Sequence, residues 1–416
     1  MVIFLSVVHC DRRRSWNCRL ALLLLHAAGA GLGAFSSPGQ GRLPLEVTND
    51  FKVSALPAEA GVAGEPLPPE LTNDFKIRLW NYGADVRGLI GYKENVFLSH
   101  TNRQASPFGD SGGDILFYRL PSGNWSANGI ISGDYIRYFG AHVDTEEATA
   151  LAVAQATGSF GEHWRSTLGA HYAYQDQVMD LNSIEPGQAG TGRVIGNTFT
   201  ARSSARGQYA PGWAELEMTG TRQLLESPLD SYWQFGPKLS LGHGFGPRDD
   251  LTLSYQWTRL SYDHEPDLDP RGNTLTGTHL VLASQAVQLA WRRAWDERGR
   301  WRSTLTAAYG LDQDNGSGFF DRDQRSLSPK MEYRAGPWTL SASMTAAVSQ
   351  YPVQTVPLDG RDHRNKIWLS ARARAEWKLT RILMLQANYS FDRAFSNLDI
   401  DDYFTHTISI GAELQF

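Results

Sequence analysis

Ser111 lies in the pentapeptide Gly109-Asp110-Ser111-Gly112-Gly113, a glycine-flanked serine of the kind that hydrolases present to a substrate carbonyl. Acyl transfer would also need an imidazole to take the hydroxyl proton and an acid to orient it. Only His9, His26 and His100 precede the serine, and no Ala-Ala-His-Cys sequence is present. The pentapeptide is therefore expected to be a turn in a first outer loop. His171, His243, His279 and His406 are expected on strands, none of them tied to a serine motif. Asp312-Gln313-Asp314-Asn315-Gly316 resembles the start of a calcium loop. Its glycine comes one position early and no helix flanks it. The two cysteines are Cys10 and Cys18, so removal of a leader would leave no thiol for catalysis, metal binding or a disulfide. No cofactor, no metal site and no catalytic residue is expected, and the chain is not expected to be an enzyme.

The chemistry that remains is charge, and its spacing is two. In the run from Ile367, one phase carries Ile367, Leu369, Ala371, Ala373, Ala375, Trp377 and Leu379. The other carries Trp368, Ser370, Arg372, Arg374, Glu376 and Lys378. A charge facing lipid at mid-membrane costs ~2–4 kcal/mol, so the charged phase must face inward. The same reasoning gives Lys238, Arg302, Lys330, Glu332, Arg334, Arg372, Arg374, Glu376 and Lys378 as the pore-lining set, a basic stripe on one wall. Such a stripe would either concentrate anions or pair with Glu332, Glu376 and Glu413. Acidic residues gather instead in the long joins, as Asp263, Glu265, Asp267 and Asp269, then Asp312, Asp314, Asp321 and Asp323, then Asp399, Asp401 and Asp402. They serve either solubility or divalent cations that bridge lipopolysaccharide.

The elements that position these residues are strands. Trp125, Trp164, Trp213, Trp301 and Trp338 each follow a turn containing Gly or Pro and head a strand-like run. An indole has an apolar body and one N–H that wants a wet neighbour, which suits a membrane interface. Trp213 needs a bulge to join the others, because Ala214, Leu216 and Met218 form the apolar face of its run. The last run puts Phe404, His406, Ile408, Ile410, Ala412, Leu414 and Phe416 on one face and stops on the aromatic residue. About 16 strands (14–16) fit between residues 82 and 416, with short turns alternating with longer loops near 94–112, 179–192, 264–276, 312–324, 351–363 and 394–401. A β-propeller would need shorter strands and a periodic blade signature, and Trp295-Asp296 occurs once. The predicted fold is all-β, a transmembrane antiparallel barrel.

Composition agrees. The 416 residues are 41% hydrophobic with 40 Gly, and past the amino terminus no apolar run approaches the ~18–20 residues of a spanning helix. A net charge of -5 gives no reason to expect a nucleic-acid partner. Residues 1–30 have the form of a signal peptide, with Arg12, Arg13, Arg14 and Arg19, then Leu20 to Leu25, then Ala28-Gly29-Ala30. Residues 31–81 form a linker or short plug arm, in which Val47-Thr48-Asn49-Asp50-Phe51-Lys52-Val53 returns as Leu71-Thr72-Asn73-Asp74-Phe75-Lys76-Ile77.

The terminal aromatic strand, the tryptophan-marked turns and the export leader resemble outer-membrane β-barrel proteins of Gram-negative bacteria, a porin-like class, over about 335 residues. The resemblance implies periplasmic short turns, outer-membrane lipid and lipopolysaccharide as surroundings, and an assembly machinery that reads the strand ending in Phe416. The expected function is passive diffusion of small hydrophilic solutes, with anions favoured by the basic stripe. The alternatives are a secretion, assembly or surface-interaction barrel, and then a barrel-embedded enzyme.

Overall fold

The computed structural model describes residues 80–122, 124–140, 146–185, 188–356, 360 and 362–416. The leader and the near-repeat of the linker lie outside the described residues. Sixteen strands close into one antiparallel barrel in which each pairs with its sequence neighbours and the last returns to the first. They are β1 (Trp80–Lys93), β2 (Ser106–Ser122), β3 (Trp125–Tyr138), β4 (Glu146–Phe160), β5 (Trp164–Asp180), β6 (Thr191–Tyr209), β7 (Gly212–Leu225) and β8 (Tyr232–Gly244). The second half comprises β9 (Asp249–Tyr262), β10 (Val281–Ala294), β11 (Trp301–Asp314), β12 (Arg322–Ala335), β13 (Trp338–Thr355), β14 (His363–Lys378), β15 (Leu383–Ser396) and β16 (Tyr403–Gln415). Closure removes every free sheet edge, which is what a strand structure needs in lipid.

Short joins gather at one end, here the turn end, where Gly161, Gly299 and Gly336 hold left-handed backbone with φ of 65°, 61° and 56°. The opposite, loop end carries longer joins, including 94–105, 181–190 and 263–280. Alternation sorts side chains as charge requires. Ile90, Ile131, Leu168, Phe235, Leu253, Ile408 and Ile410 are exposed on the outside, while Arg302, Glu332, Arg374 and Glu376 on the other phase turn inward. Outward charges such as Arg222, Arg325 and Arg393 lie toward the loop end.

Three expectations fail in detail. The Gly109–Gly113 segment is not a loop: it lies within β2, and Ser111 stands opposite Gly88 on the outward phase. The loop assignment rested on glycine content, but the glycine has a packing role. Arg87 of β1 reaches Asp134 of β3 across β2, and a Cβ at Gly112 would collide with both groups. His279 is also not on a strand, because β10 begins only at Val281.

Trp213 is the third. No bulge interrupts the β6–β7 register, in which Trp213 faces Gln208 and Glu215 faces Arg206. Its ring therefore points inward, beneath the Arg206 guanidinium at 3.8 Å and over Gly242, where a Cβ would strike the indole. The turn signal placed this residue correctly along the axis, and strand phase put it on the other side of the wall.

Candidate functional site

The lumen is the candidate site, and it has two unlike halves. At the turn end all nine pore-lining residues expected from the sequence take the inward phase. Arg302 faces Glu332 across β11–β12, Arg334 faces Thr339 across β12–β13, and Arg374 faces Ser341 across β13–β14. Lys238 faces Glu217 across β7–β8. The stripe is partly paired. Glu332 lies 2.9 Å from Lys330 and 3.2 Å from Arg334, and Glu376 lies 2.7 Å from Arg374. Glu413 accepts from Gln415 at 2.8 Å instead. In the turn-end half of β11–β14, Arg302, Lys330, Arg334, Arg374 and Lys378 thus share the wall with two carboxylates. Arg302, Arg334, Arg372 and Lys378 are exposed to solvent, so this surface is a wet, net-positive wall.

The opposite wall carries a charge cluster that the sequence reading missed. Arg87 lies 2.9 Å from Asp114, 3.0 Å from Asp134 and 3.8 Å from Asp85. Its signal was available in the same-phase spacings of Asp85 and Arg87 (i, i+2) and of Asp110 and Asp114 (i, i+4). The pentapeptide reading of 109–113 drew attention away from it.

At the loop end the lumen is narrowed. The join between β5 and β6 folds inward through a one-turn 3-10 helix, Leu181–Ser183. Asn182 accepts from the Tyr351 hydroxyl at 2.7 Å and from Arg322 at 3.2 Å, and its own amide donates to the Gln188 carbonyl at 3.2 Å. Lys366 of β14 bonds Asp180 at 2.6 Å. Arg364 pairs with Asp401 at 2.7 Å and donates to the Gln188 carbonyl, while Asp401 accepts from the Gly190 N–H at 2.9 Å. Arg364 is 3% exposed and Asp401 0%, so this pair is fully removed from water. On the other side Tyr232, Tyr262, Leu280, Leu282 and Phe320 form a dry cluster, with Leu225, Leu260 and Phe319 against it.

Glu185, in the same inward loop, is 1% exposed. Burial first, then the Glu265 carboxylate and, last, that of Asp230 push its pKa up to about 7, against an opposing hydrogen bond from Gln188. Glu265 moves upward for the same two reasons, burial and then Asp230.

Between the loop and the wall lies a cavity of about 160 Å³. Lys93, Glu147, Asn182, Arg322, Lys366, Trp368, Arg372, Asp392 and Tyr403 are among its lining residues. It brings together positions from 93 to 405, a convergence that local pattern cannot show.

The interface residues and histidines are placed as follows. Trp125, Trp164, Trp301 and Trp338 each begin a strand directly after a turn and are 46%, 52%, 42% and 45% exposed. Trp338 stacks on Trp377 with ring centroids 5.5 Å apart, and Phe416 is 74% exposed at the same end. His171 is inward, opposite Val153. His406 is outward, 2.8 Å from the Tyr389 hydroxyl. Neither adjoins Ser111. The acidic loop residues are mostly engaged within the protein. Asp263 pairs with Arg222, Asp312 with Arg322 and Asp402 with Arg393. Asp314 accepts the N–H groups of Gly316, Gly318 and Phe320. Among the described residues no cluster of three His, Cys, Asp or Glu side chains is arranged to hold a metal ion.

A closed sixteen-strand barrel with an apolar outside and a charged inside is a transmembrane β-barrel of the outer-membrane class. No family model and no curated protein matches the chain. Solved structures similar to it include OmpT of Vibrio cholerae in its in-vitro folded trimer form, at 10% identity and a TM-score of 0.43, covering 81% of this chain and 99% of that one. OccK9 (OpdG) of Pseudomonas aeruginosa has 11% identity and a TM-score of 0.44, covering 81% and 98%. A bacterial polysaccharide outer membrane secretin has 10% identity and a TM-score of 0.39, covering 80% and 97%. The assignment to the class rests on the closed strand pairing itself.

Proposed function

We propose that the chain is a passive pore for small hydrophilic solutes, with its short turns in the periplasm and its inward loop narrowing the outer half. The observation that carries this reading is the solvated basic wall of the turn-end lumen. A barrel of this strand number has room for water inside, and polar residues lining a barrel tune what passes rather than what folds. Cations in excess of carboxylates raise the local concentration of small anions, most strongly at low salt. Lipopolysaccharide and lipid at the outer wall, and an assembly machinery engaging the strand that ends in Phe416, belong to the same proposal.

The test is a reversal potential across a planar bilayer under a salt gradient. The full-length protein should favour chloride over potassium, and Arg372→Glu with Arg374→Glu should abolish or invert the preference while the heat-modifiable band is kept. Absence of any conductance would reject the pore. Conductance that favours cations in the unmodified protein would keep the pore and reject the stripe as its filter.

A further inference from the structure

The cavity behind the inward loop differs from the vestibule in that its charges are matched. Lys93 lies 3.2 Å from Glu147, Lys366 lies 2.6 Å from Asp180, and Arg322 lies 2.7 Å from Asp312 just outside the cavity. Arg372, at the border with the wet wall, and Asp392 complete the charged lining, so four cations meet three lining carboxylates and Asp312 beside them. An incoming anion would have to compete with a buried carboxylate already in contact with each of those three cations. Breaking such a pair strands a charge away from water, which is strongly unfavourable.

The rest of the lining is rich in neutral groups that keep hydrogen-bonding capacity beyond their internal bonds. Gln324 donates one N–H to Ser349 at 3.1 Å and retains its carbonyl and second N–H. Ser183 donates to the Asp180 carbonyl at 2.6 Å and can still accept, and the Thr405 hydroxyl accepts from the Asn95 N–H at 3.3 Å and can still donate. Two aromatic rings join it and hold one another in place. The Trp368 side chain hydrogen-bonds Tyr403, and the Tyr403 hydroxyl lies 3.5 Å from Asp180, the carboxylate that Lys366 holds. At about 160 Å³ the space falls below the ~300 Å³ at which drug-sized pockets begin. Amides, hydroxyls and an anchored ring in so small a space match one kind of guest.

Resting on the pore reading and deepening it, we propose that this cavity is a binding site for a small, neutral, polyhydroxylated solute of about one sugar ring. Trp368 offers its apolar face to the C–H side of the guest, and the amides and hydroxyls take its hydroxyl groups. The basic vestibule then sets which ions carry current, and the neck sets which organic solute is retained.

The experiment uses the full chain in a planar bilayer, with glucose as the neutral probe and gluconate as its anionic counterpart of similar size. Glucose should reduce the current in a saturable way, with a half-blocking concentration at least tenfold lower than that of gluconate. Trp368→Ala should raise the glucose value tenfold or more, and Gln324→Leu should raise it several-fold should the tryptophan variant fail to fold. Block by gluconate as strong as by glucose, or a conducting protein indifferent to glucose, overturns the proposal. Should no current be seen, the pore reading fails by itself. Calorimetric titration of glucose into the detergent-solubilised protein then decides the site, where binding lost in Trp368→Ala sustains it and absence of binding in the unmodified protein rejects it.

Discussion

The two halves of the lumen are lined by the same strands with the same inward phase, yet they use charge in opposite ways. At the turn end Lys330, Arg334 and Arg374 make close pairs on a wet wall, where the Lys330 and Arg334 side chains are 38% and 59% exposed. At the loop end Arg364 and Asp401 are 3% and 0% exposed. Nothing in the strand pattern distinguishes them, since Arg364, Lys366, Arg372 and Arg374 lie on one face of one strand. What differs is the covering. Residues 181–185 and 188–190 fold over the loop-end part of that strand and leave its turn-end part exposed. The same residue type therefore acts as a structural bolt in one half and as a tunable field source in the other.

The largest expected effect comes from breaking the buried half. Arg364→Met leaves buried Asp401 with the Gly190 N–H at 2.9 Å and Lys366, at 3.8 Å, as its remaining cation. Removing one partner of a buried pair costs about 3–5 kcal/mol. The guanidinium unfolding midpoint should fall accordingly, and conductance should rise as the loop loses its hold on β14. A variant as stable as the parent would place the closure of the loop end elsewhere.

Next is the pH dependence of the loop. Glu185 has a native pKa raised to about 7, above its unfolded value, so the folded loop binds the extra proton. Its contribution to stability is complete below about pH 4.5 and is lost as pH rises through about 7. The linked loss is on the order of 3 kcal/mol. Amide exchange in 181–185 and 188–190, corrected for intrinsic rates, should accelerate between pH 5 and 8, and Glu185→Gln should remove that dependence. Acceleration on going to lower pH would contradict the sign.

The smallest effect belongs to the wet half. Lys330→Gln removes a half-exposed cation 2.9 Å from Glu332. Water and salt screen such pairs, so stability should change by less than about 0.5 kcal/mol. Anion preference should weaken slightly, in the same direction as in the Arg372/Arg374 double variant. A destabilisation as large as that of Arg364→Met would erase the distinction between the halves.

Much of this was legible in the sequence because a barrel wall obeys a rule of period two. Lipid on one side penalises charge strongly enough that alternation alone sorts Arg372 from Ala373 and Lys330 from Met331. It likewise sorted the strands, the turns behind Trp125, Trp164, Trp301 and Trp338, and the inward phase of all nine pore-lining residues. Trp213 had already betrayed its phase through Ala214, Leu216 and Met218, and the aromatic-girdle reading overrode it.

Where a loop goes once it leaves the wall obeys no such local rule. The residues Asn182, Glu185 and Gln188 would suit a solvated loop equally well. Only the meeting of Asn182, Gln188 and Gly190 with Arg322, Tyr351, Arg364 and Asp401, contributed from strands and joins up to 211 positions further along, turns that loop inward. Nor does sequence spacing show that Arg87 reaches over Gly112 to Asp134, because the contact skips a strand. The sequence by itself determined which side of the wall each strand residue faces, since that depends on the nearest neighbours and on lipid. The tertiary structure alone decided which inward charges stay wet and which are buried in pairs, since that depends on what the far side of the barrel brings to meet them.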